Sequence, residues 1–128
     1  LAPFARLKAR WHQFIDSAVD HAFQVNEADP LIGFFQAHEP ARLGRLMVFP
    51  GDPTTEALVI ALWFKLEGFL ATEHLPFTLG TLAVEETPTN TVSLTAAEID
   101  PAWRTALAGR WPLRADLSIN EFAAPLTP

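Results

Sequence analysis

The stretch from Pro50 to Leu66 constrains the fold most: Pro50-Gly51-Asp52-Pro53-Thr54-Thr55-Glu56 runs straight into an almost continuous apolar segment, Ala57 to Leu66. Asp52 is suited to cap a helix, Pro53 to its first position, and Glu56 puts a negative charge in the first turn, where the helix dipole favours it. A deeply packed helix from about Pro53 to Leu70 is predicted. Its longest uninterrupted apolar run, Ala57 to Phe64, falls far short of the roughly 20 residues that cross a bilayer. A chain of 128 residues with 49% apolar and 11% aromatic content has material for one compact domain around such a helix.

Upstream, Pro3 suits a first helical position, and Phe4, Leu7, Trp11, Phe14, Ile15 and Ala18 recur at three- and four-residue spacing. This predicts an amphipathic helix ending near Val19, which leaves Asp20 and His21 where helix gives way to loop. From Gln24 to Gly44 the mixture of Asn26, Asp29, Pro30, Gly33 and Pro40 with isolated apolar residues predicts loop, with a short helix around Leu31 to Gln36. Leu46 to Phe49 reads as a small strand.

Downstream, Phe77 to Glu86 alternates with period two, and the phase slips at Gly80, which predicts a bulge there. Pro88, Thr89 and Asn90 form a turn and Val92 to Leu94 a returning strand. Asp100 and Pro101 cap a short helix through Ala108, and Leu113 to Ile119 alternates like an edge strand. The chain opens on Leu1 rather than Met and reads as helix within a few residues, so a fragment, or a start site elsewhere, is expected.

Three groups of residues could carry chemistry. Asp20 and His21 are an adjacent acid and imidazole at a helix end, where an Asp can orient a His that moves protons near neutral pH; the same pair can equally be a C-terminal cap. Strand alternation puts Glu86 on the face of Leu82 and Val84, turned toward covered surface, with Glu85 turned away. A covered carboxylate needs a basic partner or a ligand with N–H donors, and the 2-amino and N3 edge of a pterin or guanine would suit it; an ordinary strand-end Glu in water is the other reading. Thr54, Thr55 and Glu56 open a helix whose first backbone N–H groups could hold polar ligand atoms, or could simply be capped. His12, His38 and His74 are dispersed without metal-ligand spacing, and the chain has no Cys, so neither thiolate chemistry nor a metal site is read from it. A net charge of −6 with nine scattered Lys and Arg residues argues against nucleic acid as a partner.

Four segments, taken in order, resemble the 6-pyruvoyl-tetrahydropterin and 6-carboxytetrahydropterin synthases: Phe4-Ala5-Arg6-Leu7-Lys8, Val19-Asp20-His21-Ala22-Phe23-Gln24-Val25-Asn26, Asp52-Pro53-Thr54-Thr55-Glu56-Ala57-Leu58, and Glu86-Thr87-Pro88-Thr89-Asn90. The resemblance implies an α+β T-fold, an antiparallel sheet packed on two helices, occupying residues 1–97 without its first two strands. Residues 98–128 form an extension of unknown role. It further implies a zinc-dependent lyase acting on 7,8-dihydroneopterin triphosphate. Asp20 and His21 would be its acid–base dyad, Glu86 would hold the pterin edge, and Thr54, Thr55 and Glu56 would line the same pocket. Homo-oligomeric rings with sites between subunits, and a cytoplasmic setting, are expected as well.

The chain also departs from that pattern. The family binds zinc through three His residues on its first two strands and uses a Cys base nearby, and neither set is present here. Zinc is therefore expected on ligands outside this chain, with the N-terminal strands either removed or supplied by a companion segment. A non-catalytic pterin or purine binder, or a scaffold, is the alternative.

Overall fold

The computed structural model describes residues 3–122. The start of the chain and residues 123–128 of the extension lie outside the described residues. Helix α1 (Pro3–Phe14) runs into a single π-helical turn (Ile15–Val19), followed by strand β1 (Phe23–Asn26) and helix α2 (Pro30–His38). A 3₁₀ segment (Pro40–Arg45) leads into β2 (Leu46–Phe49), helix α3 (Thr55–Thr72) and the strands β3 (Thr81–Thr87) and β4 (Asn90–Thr95). The last described elements are 3₁₀ turns at Ala96–Glu98 and Trp111–Leu113, with helix α4 (Pro101–Ala106) between them. No helix among the described residues is long and apolar enough to cross a membrane.

Helix α3 forms as predicted but starts two residues later. Thr54, in extended conformation, accepts a hydrogen bond from Ala57 N through its hydroxyl at 3.0 Å and is the N-cap. Asp52 is not the cap, because its carboxylate is taken by Asn26 Nδ2 at 2.9 Å. Thr54→Ala is expected to cost about 1 kcal/mol of stability, seen as a lower urea midpoint with unchanged slope, while Asp52→Ala leaves the midpoint nearly unmoved. Every residue from Ala61 to Leu66 is buried, because α3 is covered on several sides. Helix α1 stacks Trp11 and Phe14 on Phe69, with ring centroids 5.7–6.2 Å apart. The β3–β4 hairpin lays Leu82, Val84, Val92 and Leu94 over the helix.

The described residues thus contain an antiparallel hairpin of the expected sheet, packed on α3 with α1 alongside, in an α+β T-fold. Among the strands up to β4, two features differ from the prediction. The segment after His21 contains a strand, β1, pairing in parallel with β2 from Phe23↔Leu46 to Asn26↔Phe49. Strand β2 is buried along its whole length: Leu46 and Val48 join Val25 and Ile32, whereas Met47 and Phe49 join Phe14 and Trp111. The hairpin bulge falls between Glu85 and Thr87, not at Gly80, because β3 begins only at Thr81.

Beyond Ala97 the chain packs into the same core. Asp100 caps α4 by accepting from Ala102 N, as predicted. Trp111 is fully buried and its indole donates to Val48 O at 2.7 Å. The edge strand expected over Leu113 to Ile119 does not form. Asp116 turns inward instead, accepting from Ser118 N and Ser118 Oγ, a tight local turn incompatible with an extended strand. Lys65 of α3 meets it there: its Nζ donates to Arg114 O at 2.9 Å, Asp116 O at 3.1 Å and Asp116 Oδ1 at 3.3 Å. Asn120 closes the segment by donating to Leu43 O and Leu46 O.

Candidate functional site

The start of α3 and the end of β3 meet at a cleft of about 260 Å³, whose walls include Gln24, Thr54, Thr55, Val84, Glu85 and Glu86. Thr55 Oγ1 donates to Glu86 Oε2 at 2.9 Å, and Asn90 Nδ2 donates to the same oxygen at 2.6 Å. The bulge accounts for this geometry. Glu85 pairs with Thr91 and Thr87 with Asn90, so Glu86 is the extra residue and is swung toward the turn that carries Asn90. Simple alternation, with Glu86 inward and Glu85 outward, therefore does not hold: Glu86 is exposed and both glutamates line the cleft. No basic side chain pairs with Glu86 among the described residues. Its carboxylate is held by neutral donors and remains open on one oxygen.

Asp20 and His21 lie at the end of the π-helical turn. The widened turn closes through Asp20 N on Ile15 O at 2.8 Å, and His21 then takes a left-handed conformation, φ 63°. Such a conformation costs a non-glycine residue about 1 kcal/mol or more and marks a place where the surrounding chain fixes the backbone. Arg45 contributes to that fixing by donating to Ser17 O and Asp20 O. His21 Nε2 stands 3.7 Å from Asp20 Oδ2, with both side chains largely exposed. Neither residue, nor the exposed Glu56, lines the cleft within this chain.

Two residues, Gln24 in the cleft wall and Asn90 bonded to Glu86 beside it, escape a reading of the sequence as separate motifs. Asn90 sits in the Glu-Thr-Pro-Thr-Asn segment but reads there as a turn residue, and Gln24 reads as loop because β1 is only four residues long. Among the described residues no group of three or more His, Cys, Asp or Glu side chains is placed to hold a metal ion. The residues present therefore do not fit a zinc site.

A helix-backed antiparallel hairpin, with a carboxylate anchored by neutral donors at the mouth of a cleft, fits an α+β protein of the T-fold class. Residues 1–97 match the family model for 6-pyruvoyl tetrahydropterin synthase, and the chain belongs to that family. Neither the curated proteins nor the solved structures gave a significant match.

Proposed function

We propose that the chain is the pterin-holding part of a 6-carboxytetrahydropterin synthase-like enzyme acting on 7,8-dihydroneopterin triphosphate, toward queuosine and other deazapurines or pterins. The observation that carries this reading is the Glu86 carboxylate, anchored by Thr55 and Asn90 at the edge of a cleft and unpaired with any cation among the described residues. An acceptor so placed suits the adjacent 2-amino and N3 N–H groups of the substrate ring, bonds to an ionised group being the stronger kind. Thr54 and Thr55 would frame the ring at the helix start, and Glu56, which lies outside the cleft of its own chain, would contribute to a site completed by a neighbouring subunit. Family membership supports pterin chemistry in general; the choice of 6-carboxy product rests on the resemblance.

His21, oriented by Asp20, would carry protons to and from the substrate side chain. The pair lies outside the cleft of its own chain, so the reading requires it to serve a site completed by a neighbouring subunit in a homo-oligomeric ring. Zinc would polarise the side-chain hydroxyls in the family's chemistry, and its ligands would lie outside this chain. Residues 1–97 are proposed as the T-fold domain and 98–128 as an extension whose described part completes the core; a cytoplasmic setting fits the substrate.

The test is turnover of dihydroneopterin triphosphate by the purified native assembly, with metal analysis. Zinc near one per subunit and release of triphosphate support the enzyme. His21→Ala is expected to leave pterin binding intact and to lower turnover by roughly 10²-fold or more, the usual worth of a positioned acid–base group. Unchanged turnover in that variant removes His21 from the chemistry. A non-catalytic binder using the same cleft is the second reading, since the anchoring of Glu86 by Thr55 and Asn90 needs no metal; pterin binding with neither metal nor turnover would establish it.

A further inference from the structure

We infer that Asn90, with Thr55, fixes the polarity of residue 86 and so decides which ring edges the cleft accepts. The inference rests on the pterin reading for the identity of the ring and goes further, to the residues that orient the acceptor facing it. Both hydrogen bonds to Glu86 end on one oxygen: Thr55 Oγ1 at 2.9 Å and Asn90 Nδ2 at 2.6 Å from Oε2. A carboxylate oxygen has two in-plane lone pairs, and these two donors use them. Oε1 makes no hydrogen bond among the described residues and is the atom left for a ligand.

An ionised carboxylate is an acceptor only. A ring edge with adjacent N–H donors, as in a 2-amino-4-oxopteridine, therefore satisfies Oε1. A 2,4-dioxopteridine has nearly the same shape and keeps its N3–H, but it presents a carbonyl oxygen where the amino group stood, so one of the two donors is lost and acceptor faces acceptor at position 2. Sites that read a polar group in this way discriminate strongly against an analogue lacking it. At this exposed cleft the preference for the 2-amino ring is expected to be about 10²-fold, below the limit reached by enclosed sites.

The pair of anchors makes the preference reversible by design. Glu86→Gln keeps the side chain's shape but gives it one acceptor end and one donor end. With Asn90 Nδ2 and Thr55 Oγ1 both donating, the introduced carbonyl oxygen takes the place of Oε2 and the introduced NH₂ takes the place of Oε1. The group facing the ring becomes a donor and should favour the 2-oxo edge. Replacing Asn90 by an acceptor-only Asp in that background draws the NH₂ back toward position 90 and returns an acceptor to the ring. Asn90 is thus a positioning residue acting through residue 86.

The experiment is calorimetric titration of the purified native protein and of Asn90→Ala, Glu86→Gln and Glu86→Gln/Asn90→Asp with the two pteridines, circular dichroism confirming the fold of each. The native protein should prefer the 2-amino ring, and Asn90→Ala should bind it about 10-fold more weakly with the same preference. Glu86→Gln should prefer the 2,4-dioxo ring, and the double variant should return to the 2-amino ring. If the native protein binds neither pteridine, the pterin reading fails and takes this inference with it. If it binds the 2-amino ring but Glu86→Gln keeps that preference, or Asn90→Asp does not restore it, the polarity assignment is wrong and the pterin reading stands.

Discussion

Glu86→Ala is expected to lower pterin affinity by roughly 10²–10⁴-fold, the loss of two charge-assisted hydrogen bonds, with a melting-temperature change of no more than about 3 °C. The separation of the two effects follows from where the side chain lies. Glu86 is exposed at a bulge, its partners Thr55 and Asn90 can turn to water, and the apolar contacts of β3 with α3 run through Leu82 and Val84. Parallel titration and thermal melts check both halves. A variant that unfolds while its residual folded fraction keeps native affinity would make Glu86 a structural residue and remove the basis of the proposed function.

The second large effect is on stability. Lys65 is fully buried, with its ammonium 5.2 Å from the Phe14 ring centroid and 5.4 Å from that of Trp111. Asp116 is its one carboxylate partner among the described residues, and the cations near enough to oppose it are Arg114 and Arg10. Asp116→Ala leaves that charge without its counterion and is expected to cost about 3–5 kcal/mol at neutral pH. Lys65→Met/Asp116→Asn, which removes both charges, should recover most of the loss.

The pH dependence distinguishes this origin from lost packing. Burial pulls the Lys65 pKa down to about 8 from 10.5, against the opposing pull of Asp116. Between those values the unfolded chain holds more protons than the folded one, so unfolding free energy rises with pH across that window. In Asp116→Ala the folded-state pKa falls further, and the stability deficit should shrink by pH 9–10 as the lysine sheds its charge. Asp116 itself is held below its ordinary 3.8: burial pushes it up, but hydrogen bonds from Ser118 and the charge of Lys65 prevail. Its contribution is present above that ordinary value and is lost as the pH falls through the folded-state value. Urea titrations at several pH values measure all of this, and a deficit below about 1 kcal/mol at pH 7 would contradict a paired, buried Asp116.

The contrast between these two sites shows what a sequence of this kind discloses. The Thr54-Thr55-Glu56 start of α3, the amphipathic stripe of α1 and the Asp100-Pro101 cap of α4 are local signals, and each element formed within a few residues of its prediction. Strand β1 was missed because four residues with Gln24 and Asn26 among them carry no usable period, and its partner lies across an intervening helix. Lys65 hides inside an apolar run, and its counterion is 51 residues away on a stretch whose alternation mimics a strand. At the cleft, the motif containing Glu86 was legible. The bulge that exposes Glu86 and brings Asn90 to it was not, because it depends on the hairpin register.

The way the final turns of the chain are fastened bears on how the protein is made. Trp111 bonds Val48 across 63 positions and Lys65 bonds the backbone of Asp116 across 51, so the central helix has no complete set of neighbours while the ribosome is still translating the last of these residues. Closing such distant contacts is slow relative to local helix formation. A nascent chain displaying α1 and α3 alone presents Trp63 and Phe64 without the later residues Leu94 and Leu107 that pack on them, the kind of surface that chaperones engage and that associates when synthesis stalls.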